Sequence, residues 1–128
     1  MTESTPPTLL VVEDNFINRE MLCDFFGSQG FGIVTAEDGA QAVTQAEKVL
    51  PALVLMDIQM PGMDGIEATR RIRALPNPKA SAVPIIAVTA LAMTGDREMI
   101  LGAGCNEYVS KPVNLPSLLA LIRTILQA

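Results

Sequence analysis

Four short apolar runs in this 128-residue chain each lead into residues that can do chemistry. LLVV (9–12) runs into Glu13 and Asp14, LVLM (53–56) into Asp57, IIAV (85–88) into Thr89, and YVS (108–110) into Lys111 and Pro112. A carboxylate at the end of an apolar strand costs stability unless something pairs with it. Three carboxylates brought together repel one another unless a cation sits among them. Hard oxygen ligands without His or Cys select Mg²⁺ or a similar ion, which also binds phosphate oxygen. Thr89 adds a hydroxyl, and Lys111 a charged donor for a second anion. The chemistry this set suits is attack of a carboxylate on phosphorus, with metal and lysine neutralising the transferring group. Asp57 is the candidate nucleophile, because it stands alone after its strand and precedes a loop with Pro61, Gly62 and Gly65 that is open to a donor.

Other chemistries are excluded or disfavoured. The chain has no histidine, so no imidazole of its own acts as base, nucleophile or metal ligand. It has no Gly-rich phosphate loop. A net charge of −5 argues against a nucleic-acid surface. Cys23 and Cys105 lack metal-type spacing and are too few for a disulfide framework, which fits a reduced, cytoplasmic setting. MTESTPPT lacks the blocks of a signal peptide, and no apolar run approaches membrane-spanning length.

The elements that must position these residues follow from the pattern between them. Residues 1–7 read as a flexible tail and 8–128 as one domain. The continuous apolar runs predict strands covered on both faces, as in a parallel sheet, with GIVTA (32–36) and EYVS (107–110) as weaker strands. Asn15 caps a first helix whose Ile17, Met21, Leu22, Phe25 and Phe26 share one broad face. Ala40 to Val49 predicts a second helix, and Asp64 to Leu75 a third with Ile66, Thr69 and Ile72 inward. PNPKASA (76–82) reads as a loop. Thr94 to Ala103 gives a fourth helix, and Leu115, Leu118, Leu119, Ile122 and Ile125 repeat at helical spacing in a fifth. Five strands alternating with five helices make an α/β doubly wound sheet.

VVEDN (11–15), LMDIQMPGMDG (55–65), AVTA (87–90) and YVSKPV (108–113) stand in this order. Asp14 to Asp57, Asp57 to Thr89, and Thr89 to Lys111 are 43, 32 and 22 residues apart. On these motifs the chain resembles the receiver domain of two-component response regulators over residues 8–127. The resemblance implies the flavodoxin-like strand order 2-1-3-4-5. It also implies that Asp57 accepts a phosphoryl group from a phosphohistidine on a sensor histidine kinase or a histidine phosphotransfer protein, in a phosphorelay that needs Mg²⁺.

By the same resemblance Asp14 binds Mg²⁺ directly, Glu13 largely through water, and Gln59 through its backbone carbonyl. Lys111 holds a phosphoryl oxygen, and the Lys111–Pro112 bond is cis. Thr89 and Tyr108 form the switch pair, and the face of the fourth helix, fifth strand and fifth helix meets a downstream target protein. Gln59 and Leu91 tune loss of the acyl phosphate, with an apolar Leu91 expected to slow it. No membrane or nucleic acid is implied. A start at Met1 and an end after the fifth helix favour the stand-alone form over a piece of a hybrid kinase.

Each residue also has a plainer reading. Glu13 and Asp14 alone could cap the first helix, Thr89 could be a strand threonine, Lys111 a solvated lysine, and Tyr108 a packing residue. Arg70, Arg71 and Arg73 read as a solvated helix face, and Cys23 as packing. Two enzyme or carrier classes compete with the switch. A haloacid-dehalogenase-like phosphohydrolase would want a second Asp where Gln59 stands. A flavodoxin-like carrier would want a hydroxyl-rich loop where Glu13 and Asp14 repel phosphate. A receiver acting as a phosphorylation-independent scaffold is the third alternative.

Overall fold

The computed structural model describes residues 6–90 and 94–127. Five parallel strands form one sheet: β1 (Thr8–Val12), β2 (Gly32–Ala36), β3 (Leu53–Asp57), β4 (Ile85–Thr89) and β5 (Glu107–Ser110). Their order is β2-β1-β3-β4-β5, so the sequence-based expectation of a doubly wound, flavodoxin-like sheet holds. The helices α1 (Phe16–Ser28), α2 (Gly39–Val49), α3 (Gly65–Arg73), α4 (Pro78–Ser81), α5 (Thr94–Ala103) and α6 (Leu115–Gln127) connect or flank them.

Both faces of the sheet are covered, which is why its central strands are continuous apolar runs. On one face Leu10, Val12, Val54, Met56, Ile85 and Ala87 meet Ala42 and Ala46 of α2, Ile66 and Ile72 of α3, and Ile100 of α5. On the other, Leu9, Val11, Leu53, Leu55 and Ile86 meet Leu22 and Phe26 of α1 and Leu118 and Ile122 of α6. Successive strand residues alternate between the two clusters, as the pleat requires.

Three expectations need correction. The stretch 76–82 is not all loop, because Pro78–Ser81 form a short additional helix, α4. Asn77 caps it by accepting from the N–H of Lys79 at 2.9 Å, and proline at the first position is preset for a helix. The broad apolar face of the first helix is narrower than its pattern suggests, since Phe16 (63%), Ile17 (75%) and Met21 (45%) are exposed. Leu22 and Phe26 alone of that helix are buried. Finally, Arg73 is not on a solvated face. It bends into the loops before β4 and β5, donating to the carbonyls of Ser81, Val83 and Gly104.

Candidate functional site

Parallel register brings the strand ends to one edge of the sheet. Val12 lies beside Met56, and Asp57 beside Val88. Thr89 lies beside Ser110, and the N–H of Lys111 donates to the Thr89 carbonyl at 2.8 Å. Glu13, Asp14, Asp57, Thr89 and Lys111 therefore all stand at the carboxyl edge, where ligands bind in open α/β sheets.

The loop after Asp57 is shaped by its glycines. A side chain on Gly65 would strike the Asp57 carbonyl oxygen and come within 2.8 Å of Ile58 Cα. Hence only glycine lets α3 start this close to the end of β3. Its N–H donates to the Ile58 carbonyl at 3.0 Å, and Gly62, at φ +75°, turns the loop. Gln59 is exposed, and its N–H donates to Asp57 Oδ1 at 3.2 Å.

Asp57 and Glu13 are each only 2% exposed, whereas Asp14 is open to solvent. One carboxylate oxygen from each of Glu13, Asp14 and Asp57 lies within 4.8 Å of the others. Lys111 Nζ lies 3.5 Å from both Glu13 Oε1 and Asp57 Oδ1. One amine does not neutralise three carboxylates. Burial, and then the Glu13 charge, push the Asp57 carboxyl up to about 7, against the opposing pull of Lys111 and the Gln59 N–H. The donor set suits a divalent cation: hard oxygens, excess negative charge, and a spacing that one ion can bridge.

The remaining predicted residues are less tightly gathered. Thr89 is fully buried at the end of β4. Tyr108 is half-buried two residues before Ser110, with its ring 5.9 Å from the Arg97 guanidinium carbon of α5. The Lys111–Pro112 peptide bond is cis. Leu91 lies outside the described residues, as do residues 1–5 of the expected tail. An open cleft of about 500 Å³ runs beside the cluster, lined by Asn18, Met21, Val88, Lys111 and Val113 among others.

Arg19 was not singled out from the sequence. It closes the first turn of α1 and donates to the Glu13 carbonyl at 2.8 Å. A signal existed: side chains in a helix lean towards its N-terminus, so a long arginine there reaches back to the loop that carries Glu13 and Asp14.

The family profile described as response regulator receiver domain matches residues 9–123. The chain is a response regulator receiver domain. The polar-differentiation response regulator DivK of Brucella anthropi is 36% identical over 121 residues, covering 94% of this receiver and 97% of DivK. Hybrid signal transduction histidine kinase I of Dictyostelium discoideum is 40% identical over 128 residues. That match covers 96% of the receiver but only 7% of the much longer kinase. Among solved structures, the receiver domain of a Pseudomonas aeruginosa PAO1 sensor histidine kinase is 39% identical, with a TM-score of 0.88 over 96% of this receiver and 99% of that chain. That structure was solved with a magnesium ion coordinated in its active-site cleft. Receiver domains are generally signal transducers rather than enzymes acting on a diffusible substrate. Among the described residues no helix is long and apolar enough to cross a membrane.

Proposed function

We propose that this receiver accepts a phosphoryl group on Asp57 from a phosphohistidine of a sensor histidine kinase or phosphotransfer protein, and signals through a changed surface. The observation that carries this reading is the buried Asp57 carboxylate, facing Glu13 and Asp14 with Lys111 3.5 Å away. Asp14 would hold Mg²⁺ directly, Glu13 largely through water, and Asp57 and the Gln59 backbone carbonyl would complete the protein's share. Bound there, the cation would supply charge neutralisation for phosphoryl oxygens.

An oxygen of Asp57 attacks phosphorus in line, and the P–N bond to the donor imidazole breaks with its electron pair leaving on nitrogen. Lys111 releases its long contacts with Glu13 and Asp57 to bind a phosphoryl oxygen. Thr89 donates its hydroxyl to another, and Tyr108 turns inward as Thr89 moves. Phosphorylation then shifts an existing equilibrium of the α5–β5–α6 face, which a target protein reads. Hydrolysis of the acyl phosphate is tuned by Gln59 and Leu91. The exposed Met21 that lines the cleft, on the same helix as the exposed Phe16 and Ile17, gives an incoming donor an apolar footing.

Incubation with a small phosphodonor, followed by intact-mass spectrometry, tests the reading. One Mg²⁺-dependent phosphoryl adduct is expected, absent from Asp57→Asn. An adduct of undiminished yield in that variant would refute the assignment. A wild type that takes no phosphoryl group, yet binds its partner, would favour the scaffold reading.

A further inference from the structure

Arg19 gathers three contacts in a place where only 11% of its side chain meets solvent. One terminal nitrogen donates to the Glu13 carbonyl at 2.8 Å. The other lies 3.9 Å from Glu37 Oε2, and the guanidinium carbon stands 5.5 Å from the Phe16 ring centre. Glu37 follows β2 directly, and the Glu13 N–H donates to the Ala36 carbonyl at 3.1 Å. Glu13 is thus held from both sides of its peptide, by β2 through its N–H and by Arg19 through its carbonyl. On the Glu13 side chain, Oε2 accepts from the Asn15 N–H at 3.1 Å and Oε1 faces Lys111.

We propose that Arg19 is a positioning residue for the acidic cluster. Its planar fork fixes the main chain of Glu13, and so the place from which Glu13 and Asp14 present their carboxylates towards Asp57. Without the fork the three carboxylates relieve their repulsion by spreading apart, and the cluster loses the spacing that suits one cation. The inference rests on reading the cluster as a Mg²⁺ site.

Arg19 is a cation near a cation site, so two accounts of it predict opposite signs. By charge alone, removing it would tighten Mg²⁺ binding. If it positions ligands, removing it weakens binding, as loss of groups that orient metal ligands usually does. Calorimetric titration of the metal-free protein with MgCl₂ separates them, using the wild type, Arg19→Gln and Arg19→Lys, with circular dichroism and thermal melting as fold controls. Arg19→Gln is expected to bind Mg²⁺ about tenfold more weakly. Arg19→Lys keeps the charge but not the fork, so it too must bind more weakly, and it carries the test should the Gln variant fail to fold. Affinity unchanged or raised in Arg19→Gln, or equal to wild type in Arg19→Lys, would overturn the proposal while leaving the site reading intact. Absence of any Mg²⁺ heat from the wild type would overturn both.

Discussion

The two edges of the sheet each set a cation among oxygen acceptors, Arg73 at one and Lys111 at the other, and they hold it differently. At the amino edge Arg73 donates five hydrogen bonds of 2.6–2.9 Å, to the carbonyls of Ser81, Val83 and Gly104 and to Asn106 Oδ1. Asn106 Oδ1 also accepts from the Ile85 N–H, so this edge is tied together by short, directed bonds between a charge and neutral dipoles. At the carboxyl edge Lys111 reaches two carboxylates at 3.5 Å each, with Asp14 close by. One edge is satisfied. The other carries more negative charge than its lysine offsets, and it is ready for a further cation and for an anion.

The largest effect is expected at the amino edge. Arg73→Ala leaves the carbonyls of Ser81, Val83 and Gly104 without the guanidinium, while Asn106 Oδ1 keeps its bond from the Ile85 N–H; an acceptor left without its donor costs about 1–3 kcal/mol. Urea denaturation should show a loss of roughly 4 kcal/mol, while the fraction that stays folded binds Mg²⁺ as the wild type does. A loss below about 1 kcal/mol would mean that water replaces the guanidinium and that the contrast between the edges is false.

Asp57→Asn should act with the opposite sign. The Asp57 carboxyl is raised from 3.8 to about 7, so between these values the native state keeps a proton that the unfolded chain has released. Metal-free stability is therefore greatest at low pH and falls as pH rises from about 4 to about 7. A shift of this size is worth about 4 kcal/mol. Because the Asn variant also deprives Lys111 of a partner, a net gain of roughly 2 kcal/mol at pH 8 is expected. Denaturation midpoints at pH 5 and pH 8 without Mg²⁺ would show a flattened pH slope in Asp57→Asn. An unchanged slope would mean that the negative charge is relieved elsewhere.

Lys111→Ala should have a smaller effect on stability, about 1 kcal/mol, since its two contacts are long and its side chain is partly exposed. Calorimetry should find Mg²⁺ affinity retained, with phosphoryl uptake slowed; affinity falling as far as in Asp14→Ala would refute that division of roles. Ile17→Ser, at 75% exposure, should shift stability by less than about 0.5 kcal/mol. A larger loss in thermal melting would mean that the apolar end of α1 packs within the domain.

The carboxyl edge was legible in the sequence because its geometry is nearly one-dimensional. A parallel strand that ends on a polar residue must deliver it to that edge, so Glu13, Asp57, Thr89 and Lys111 followed from position alone. The amino edge was not legible. Arg70, Arg71 and Arg73 are the same residue type in one short helix, and only the return of loops from around residues 81–83 and 104–106 distinguishes Arg73. Ile17 and Met21 misled for a related reason. Helical periodicity marks a face, but not where along the helix the partner layer stops, and the start of α1 stands at the sheet's carboxyl edge. The short helix after Asn77 depends on a cap and a proline within a segment whose composition reads as loop.

The central claim is that Asp57, and neither of its acidic neighbours, takes the phosphoryl group. Phosphorylated protein should be treated with borohydride, which reduces an acyl phosphate to an alcohol, and then digested and sequenced by mass spectrometry. Homoserine is expected at position 57 alone, and only in samples phosphorylated with Mg²⁺ present. Reduction at Asp14 or Glu13, with Asp57 intact, would contradict it.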